Sequence, residues 1–232
     1  MRKRKVLFSV FFLIMMFVLL GLNSLWEDSY LWFSFGVIFI AIILFLYRFE
    51  TRLVEPRELV LLAVLASIAA VGRIPFASLP SVQPTTFVIM MSGYVFGAES
   101  GFMIGVVAAL ASNMILGQGP WTPWQMVAWG LVGLTAGLFK NTLLMKKKWG
   151  QILFGIVWGY LFGWIMNLWG FLALMQSGGE QTWKAFIVYM IGSAAFDTFH
   201  AISNIFFLVV FGGIWIKILT RFKRKYGLLE KN

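Results

Sequence analysis

The stretch RIPFASLPSVQPTTFVIMMSGYVFG, residues 73–97, decides the architecture. Its apolar run, 84–97, gives roughly 21 Å of helix at about 1.5 Å per residue, whereas crossing the hydrocarbon of a bilayer takes about 30 Å. The outer end of this helix is therefore expected below the membrane surface, with residues 73–86 dipping into the bundle. Irregular backbone is tolerated at that depth only where protein or a water-filled cavity surrounds it. The stretch thus predicts an outward-facing pocket.

The rest of the chain sets this short helix in lipid. Of 232 residues, 60% are hydrophobic and only 12% charged, too few polar groups to cover a water-soluble fold. The apolar runs are continuous rather than alternating, so the backbone is satisfied within helices and not within a barrel. Runs of spanning length are expected near 6–23, 30–48, 57–72, 84–97, 99–116, 124–140, 151–175 and 185–216. The last is long enough to tilt or to project into water. MRKRK before the first run resembles the start of a signal peptide, but the run is long and lacks a small-x-small site, so a retained helix is expected.

Eight helices with both termini cytoplasmic place seventeen of the nineteen Lys and Arg on the inner side. Arg73 and Lys184 alone fall outside, the asymmetry that membrane topology favours. The net charge of +10 is thus read as a topology signal and not as a nucleic-acid footprint. The expected fold is an all-α integral membrane protein with a transmembrane hairpin over 1–50 and a six-helix domain over 51–232.

Catalytic parts are missing. The sequence contains no GxxxxGK[ST], HExxH or GxSxG, no cysteine and a single histidine. No catalytic residue, metal site or cofactor is expected. Any transport driven by ATP must draw on another subunit.

Binding is better supplied. The outer connections 73–86, 117–125 and 175–183 are rich in Pro, Gly, Gln and Trp, which restricts their backbones. GQGPWTPWQMVAWG, from Gly117, is the most distinctive segment. Trp121 and Trp124 read either as interfacial anchors or, beside Gln118 and Gln125, as a platform where indoles stack on flat rings and amides read their edges. Arg73, Gln83, Thr85 and Asn113 join them as ligand-contact candidates. Asn167, Asp197, His200 and Asn204 also lie within apolar stretches, where a polar group needs a partner or a cavity. Asp197, His200 and Asn204 are spaced to share one helix face, with Asp197 placed to pair with His200 or Arg73. That face reads equally as a cavity wall or as a structural network.

Small residues recur at four-residue spacing. Ala63 and Ser67, with Ala66 and Ala70, suggest a flat face for close helix approach, to a partner or within the chain. Gly101, Gly105 and Ala109, and Gly130, Gly133 and Gly137, are expected to make tight crossings inside the bundle.

RIPF, SVQPTTFVIMMSGYVFGAESGFMIGVVAALASN and GQGPWTPWQMVAWGLVGLTAG together resemble the substrate-binding subunits, or S-components, of energy-coupling factor (ECF) vitamin transporters, over about 57–216. The resemblance implies a six-helix bundle in a bacterial plasma membrane. It captures a vitamin or precursor on the outer side and assembles with a transmembrane coupling subunit and two ATPase subunits. It also implies that Ala63, Ala66, Ser67 and Ala70 dock on the coupling subunit, and that residues 74–85 close over the substrate. GPWTPWQ is most similar to members proposed to carry cobalamin or its precursor α-ribazole, although riboflavin, a pterin or a deazapurine would also suit such a pocket. The N-terminal hairpin departs from the six-helix pattern. Two rival classes remain: a solitary transporter with Asp197 and His200 as a proton relay, and a membrane enzyme acting on lipid, for which acidic or nucleophilic residues are scarce.

Overall fold

A computed structural model describes residues 56–179 and 182–226, together with Gly36, Phe39 and Ile43, which are helical. Apart from those three residues, the hairpin expected over 1–50 lies outside the described residues. Within them the chain forms eight α-helices and no strand: α1 Pro56–Val71, α2 Thr85–Phe96, α3 Ala98–Leu116, α4 Thr122–Phe139, α5 Lys148–Gln176, α6 Trp183–Gly192, α7 Ala194–Val210 and α8 Gly212–Tyr226. A 3-10 turn, Ile74–Phe76, follows α1.

Helices α1 to α5 match the first five runs expected beyond residue 56. The last expected run, 185–216, is instead broken twice, with a 43° bend between α6 and α7. Ser193 sits at that bend, its Oγ 3.1 Å from both the Met190 carbonyl and Asp197 Oδ2, so its one proton is shared between a backbone and a side-chain acceptor. Phe211 and the Gly212–Gly213 pair mark the second break, where glycine is a poor helix former.

By length and composition, Pro56–Phe76, Ala98–Leu116 and Lys148–Gln176 can each cross a bilayer, and the bent α6–α7 pair counts as a fourth crossing. This is fewer than the six crossings expected of this region. The first turn of α4 carries Pro123, Trp124 and Gln125, and α2 has only 12 residues, or about 18 Å. Every residue of α2 except Tyr94 is buried. Its sequence is apolar all round, as a helix enclosed on every side must be.

Long-range contacts show that α1 to α5 alternate in direction, while α6, α7 and α8 all run the same way. At one end, Arg57 donates to the Tyr226 carbonyl and Lys223 to the Val95 carbonyl. At the other, Arg73 donates to Ser112 and Asn113 near the end of α3. Helix α8 leaves α7 at Phe211 and runs beside α2, from Trp215 against Phe87 to Lys223 at Val95.

Glycines set the closest crossings, as the sequence anticipates. A Cβ on Gly133 would overlap the Gly101 backbone, and one on Gly93 or Gly101 would overlap the Gly133 carbonyl. One on Gly105 would strike the Trp129 backbone. Three helix backbones therefore meet with no side chain between them, the geometry through which helices associate in lipid. We expect Gly101→Ala or Gly133→Ala to lower stability by about 1–3 kcal/mol. Gly213→Ala, where nothing lies within 4 Å of an added Cβ, should be neutral or stabilising. Unfolding of the three variants in detergent, followed by thermal shift, checks this.

Candidate functional site

The segment after α1 folds back on itself. Residues 77–80 are exposed, whereas the return limb, 81–84, is half-buried and Thr85 and Thr86 are buried. Ser81 makes the turn at φ 59°, a left-handed conformation uncommon outside glycine. Below it the chain is fixed at depth. Gln83 exchanges two bonds with Ser203 of α7, its N–H donating at 3.0 Å and its carbonyl accepting at 3.2 Å. Thr85 donates to the Ala69 carbonyl inside α1 at 2.9 Å. The limb is thus wedged between α1 and the middle of α7.

Arg73 is the centre of the site. Its Nε donates to Gln83 Oε1 at 3.0 Å, and one terminal nitrogen donates to Ser112 Oγ at 2.6 Å and Asn113 Oδ1 at 2.9 Å. The guanidinium also lies over the Trp129 ring, 4.8 Å from its centroid. All these partners are neutral. The second terminal nitrogen, Nη2, has no partner among the described residues.

The network continues on both sides. The Asn113 amide donates to Gln125 Oε1 at 2.7 Å and Thr122 Oγ1 at 3.1 Å, and the Thr122 hydroxyl donates to Gln118 Oε1. Beneath Arg73, the Trp129 indole N–H donates to Thr86 Oγ1, which bonds His200 Nε2 at 2.7 Å. Phe162 stands edge-on to His200 and packs on Trp129. One polar chain therefore runs from α7 through α2 and α4 to the 3-10 turn and the end of α3.

Beside it lies an aromatic seam between α4 and α5. Trp121 meets Trp169 edge to face at 5.8 Å. Trp124 packs against Met126, Val127, Ile165, Met166, Trp169 and Leu172. The indole N–H groups of Trp124 and Trp169 are buried without an acceptor among the described residues. A buried donor left unpaired costs about 1–3 kcal/mol, so these two indoles are unsatisfied polar groups within the seam.

Arg73, Gln83, Asn113, Gln118 and Gln125 are thus one bonded cluster, with Trp121 and Trp124 beside it and His200 beneath. The remaining expected site residues sit elsewhere. Thr85 is spent on the α1 backbone. Asn204 donates to the Gly155 carbonyl, holding α7 to α5. Asn167 bonds Ser193, which donates to Asp197 Oδ2 at 3.1 Å. Asp197 therefore pairs with Ser193 at the bend, and not with His200 or Arg73 as anticipated. The shared face of Asp197, His200 and Asn204 resolves into three separate contacts.

The expected docking face also needs correction. Ala66 and Ala70 are 1% and 3% exposed, covered by the chain's own helices, while Ala63 and Ser67 are exposed. At about 100° per residue the two pairs lie roughly 60° apart, so one strip turns inward and the other outward. Ser112, Thr122, Thr86, Trp129 and Trp169 are site residues that the sequence reading did not select. The hydroxyls resemble ordinary helix residues bonded to their own backbone, and Trp129 and Trp169 resemble core or belt aromatics.

With this geometry in view, comparison with known proteins gives a family. The model of the ECF transporter substrate-specific component matches residues 57–214, more than half of the sequence, and the chain belongs to that family. A UPF0397 protein of Vibrio atlanticus (strain LGP32) is 26% identical over 101 residues, covering 41% of this chain and 55% of that protein. One from Aliivibrio fischeri (strain MJ11) is 27% identical over 121 residues, covering 45% and 66% respectively. The chain thus spans between about half and two thirds of the length of these relatives. No solved structure matches.

Asn113 ties Arg73, Thr122 and Gln125 together. Asn113→Leu should remove one bond each from Arg73, Thr122 and Gln125, leave Gln125 Oε1 without its donor, and destabilise the protein by about 1–3 kcal/mol. Gln118→Ala, on an exposed residue, should cost less than about 0.5 kcal/mol. Denaturation midpoints in detergent separate the two.

Proposed function

We propose that this substrate-specific component binds a vitamin or vitamin precursor at the Arg73 end of the bundle, with cobalamin or its precursor α-ribazole the best fit. The carrying observation is a guanidinium held by neutral oxygens, its Nη2 without a partner among the described residues, linked through Asn113 and Gln125 to the start of α4 with its Trp121–Trp169 pair. Nη2 meets an anionic or carbonyl oxygen of the ligand. The Trp121–Trp169 pair packs on a flat ring such as a benzimidazole, and Gln118 and Gln125 read its edge.

The basic residues favour an orientation with the Arg73 end outward, since Arg73 and Lys184 are the only cations of the described helical region away from the Lys140 end. A transmembrane coupling subunit docks on the outward strip of α1, at Ala63 and Ser67, and two ATPase subunits supply the energy. On this reading the solitary proton relay loses its parts, because Asp197 bonds Ser193 and His200 bonds Thr86.

Reconstitution tests the proposal. The chain with the coupling subunit and ATPases should take up labelled cobalamin or α-ribazole in an ATP-dependent manner, and the chain alone should bind without transporting. Uptake by the isolated chain under a pH gradient, or uptake of flavin alone, would overturn it. Arg73→Gln and Gln125→Ala should each weaken ligand binding about tenfold, near 1.4 kcal/mol, while Lys184→Ala leaves it unchanged. Replacing Ala63 and Ser67 together by Leu should reduce capture of the coupling subunit in a pull-down and spare ligand binding.

A further inference from the structure

The basic end of the bundle carries a feature that substrate capture does not use. Lys140, Asn141 and Lys146 from the α4–α5 link face Tyr94 of α2 and Thr220 and Arg224 of α8 across a groove of about 370 Å³. A second hollow of about 630 Å³ shares Thr220 and Arg224 and adds Lys217 and Arg221. No Asp or Glu lines either space. Two of the cations are already used within the fold: Lys223 caps the α2 carbonyl of Val95, and Lys140 reaches the Gly97 turn. Lys146, Lys217, Arg221 and Arg224 remain as like charges drawn together from two separate segments. Such a cluster repels itself and attracts an anion. Hydroxyl and amide groups of Tyr94, Thr220 and Asn141 beside these cations supply the donors that phosphate oxygens accept.

A second observation names the carrier of that phosphate. Ile214, Ile218, Phe222 and Tyr226 recur every four residues on α8 and are 59%, 45%, 45% and 42% exposed. Lys217, Arg221 and Lys225 each precede one of them, so an apolar stripe and a basic ridge run side by side along the helix. An inorganic ion would need only the groove. An amphipathic helix with a basic face lies at a membrane interface, its apolar side among acyl chains and its cations among headgroups.

We propose that α8 forms a binding site for an anionic phospholipid, its phosphate in the second hollow at Lys217, Arg221 and Arg224 and its acyl chains along the adjoining stripe of Ile218 and Phe222. The site is separate from the Arg73 cluster and does not depend on the ligand assigned there.

The test uses the full chain in nanodiscs and native mass spectrometry, with phosphatidylglycerol and phosphatidylcholine as competing lipids. The wild type should retain phosphatidylglycerol preferentially. Replacing Lys217, Arg221 and Arg224 together by Gln should lower that retention about tenfold or more, with phosphatidylcholine adducts and thermal stability unchanged. Ile218→Ser with Phe222→Ser should also lower it while leaving the groove's charge intact. Equal retention of the two lipids by the wild type would overturn the proposal. So would displacement of phosphatidylglycerol by millimolar inorganic phosphate with no effect of the Ser variant, which would mark a free-anion site. Loss of all lipid adducts on assembly with the coupling subunit would mark a protein contact and overturn it as well.

Discussion

A helix of 12 residues that is buried almost throughout cannot reach both faces of a bilayer, and the rest of the fold accommodates that fact. The chain entering α2 has to descend to meet it. The return limb at Gln83 is therefore pinned to Ser203 in α7, and Thr85 is bonded inside α1. Backbone at such depth must find partners, and here it does. The same descent draws Arg73 over Trp129 and against the end of α3, where Ser112 and Asn113 receive it. A guanidinium in that position is costly without acceptors, which explains why the neighbouring helix ends are rich in amides and hydroxyls.

The glycine crossings make this arrangement rigid. With Gly93, Gly101 and Gly133 in mutual backbone contact, α2, α3 and α4 cannot slide without separating. The first turn of α4, which carries Trp121, Thr122, Trp124 and Gln125, is thereby fixed relative to Asn113. Binding groups held by packed helices lose little freedom when a ligand arrives, and that favours affinity. The family model places the chain among the substrate-specific components of ECF transporters.

Much of this was legible in the sequence. Run length alone identified α2 as too short, and the Gly-x-x-x-Gly spacings identified the internal crossings. The clustering of Arg73, Gln83, Asn113 and Gln125 followed from placing the outer connections together. Other features depended on rotation about helix axes, which run length does not carry. Ala63 and Ala66 sit three residues apart, yet one faces out and the other in. Asp197 and His200 share a helix face in projection, but the bend at Ser193 gives Asp197 a local partner and leaves His200 to Thr86. Breaks at Ser193 and Phe211 were hidden because the run 185–216 stays apolar across both.

The central claim, that the Arg73 cluster and the tryptophan seam hold a small aromatic ligand, is tested most directly by mass spectrometry of the protein purified in mild detergent, wild type beside Arg73→Gln. The account predicts a stoichiometric vitamin-type molecule released from the wild type on denaturation and its loss from the variant. Equal retention in both, or no binding when the wild type is offered cobalamin, α-ribazole or flavin, would contradict it.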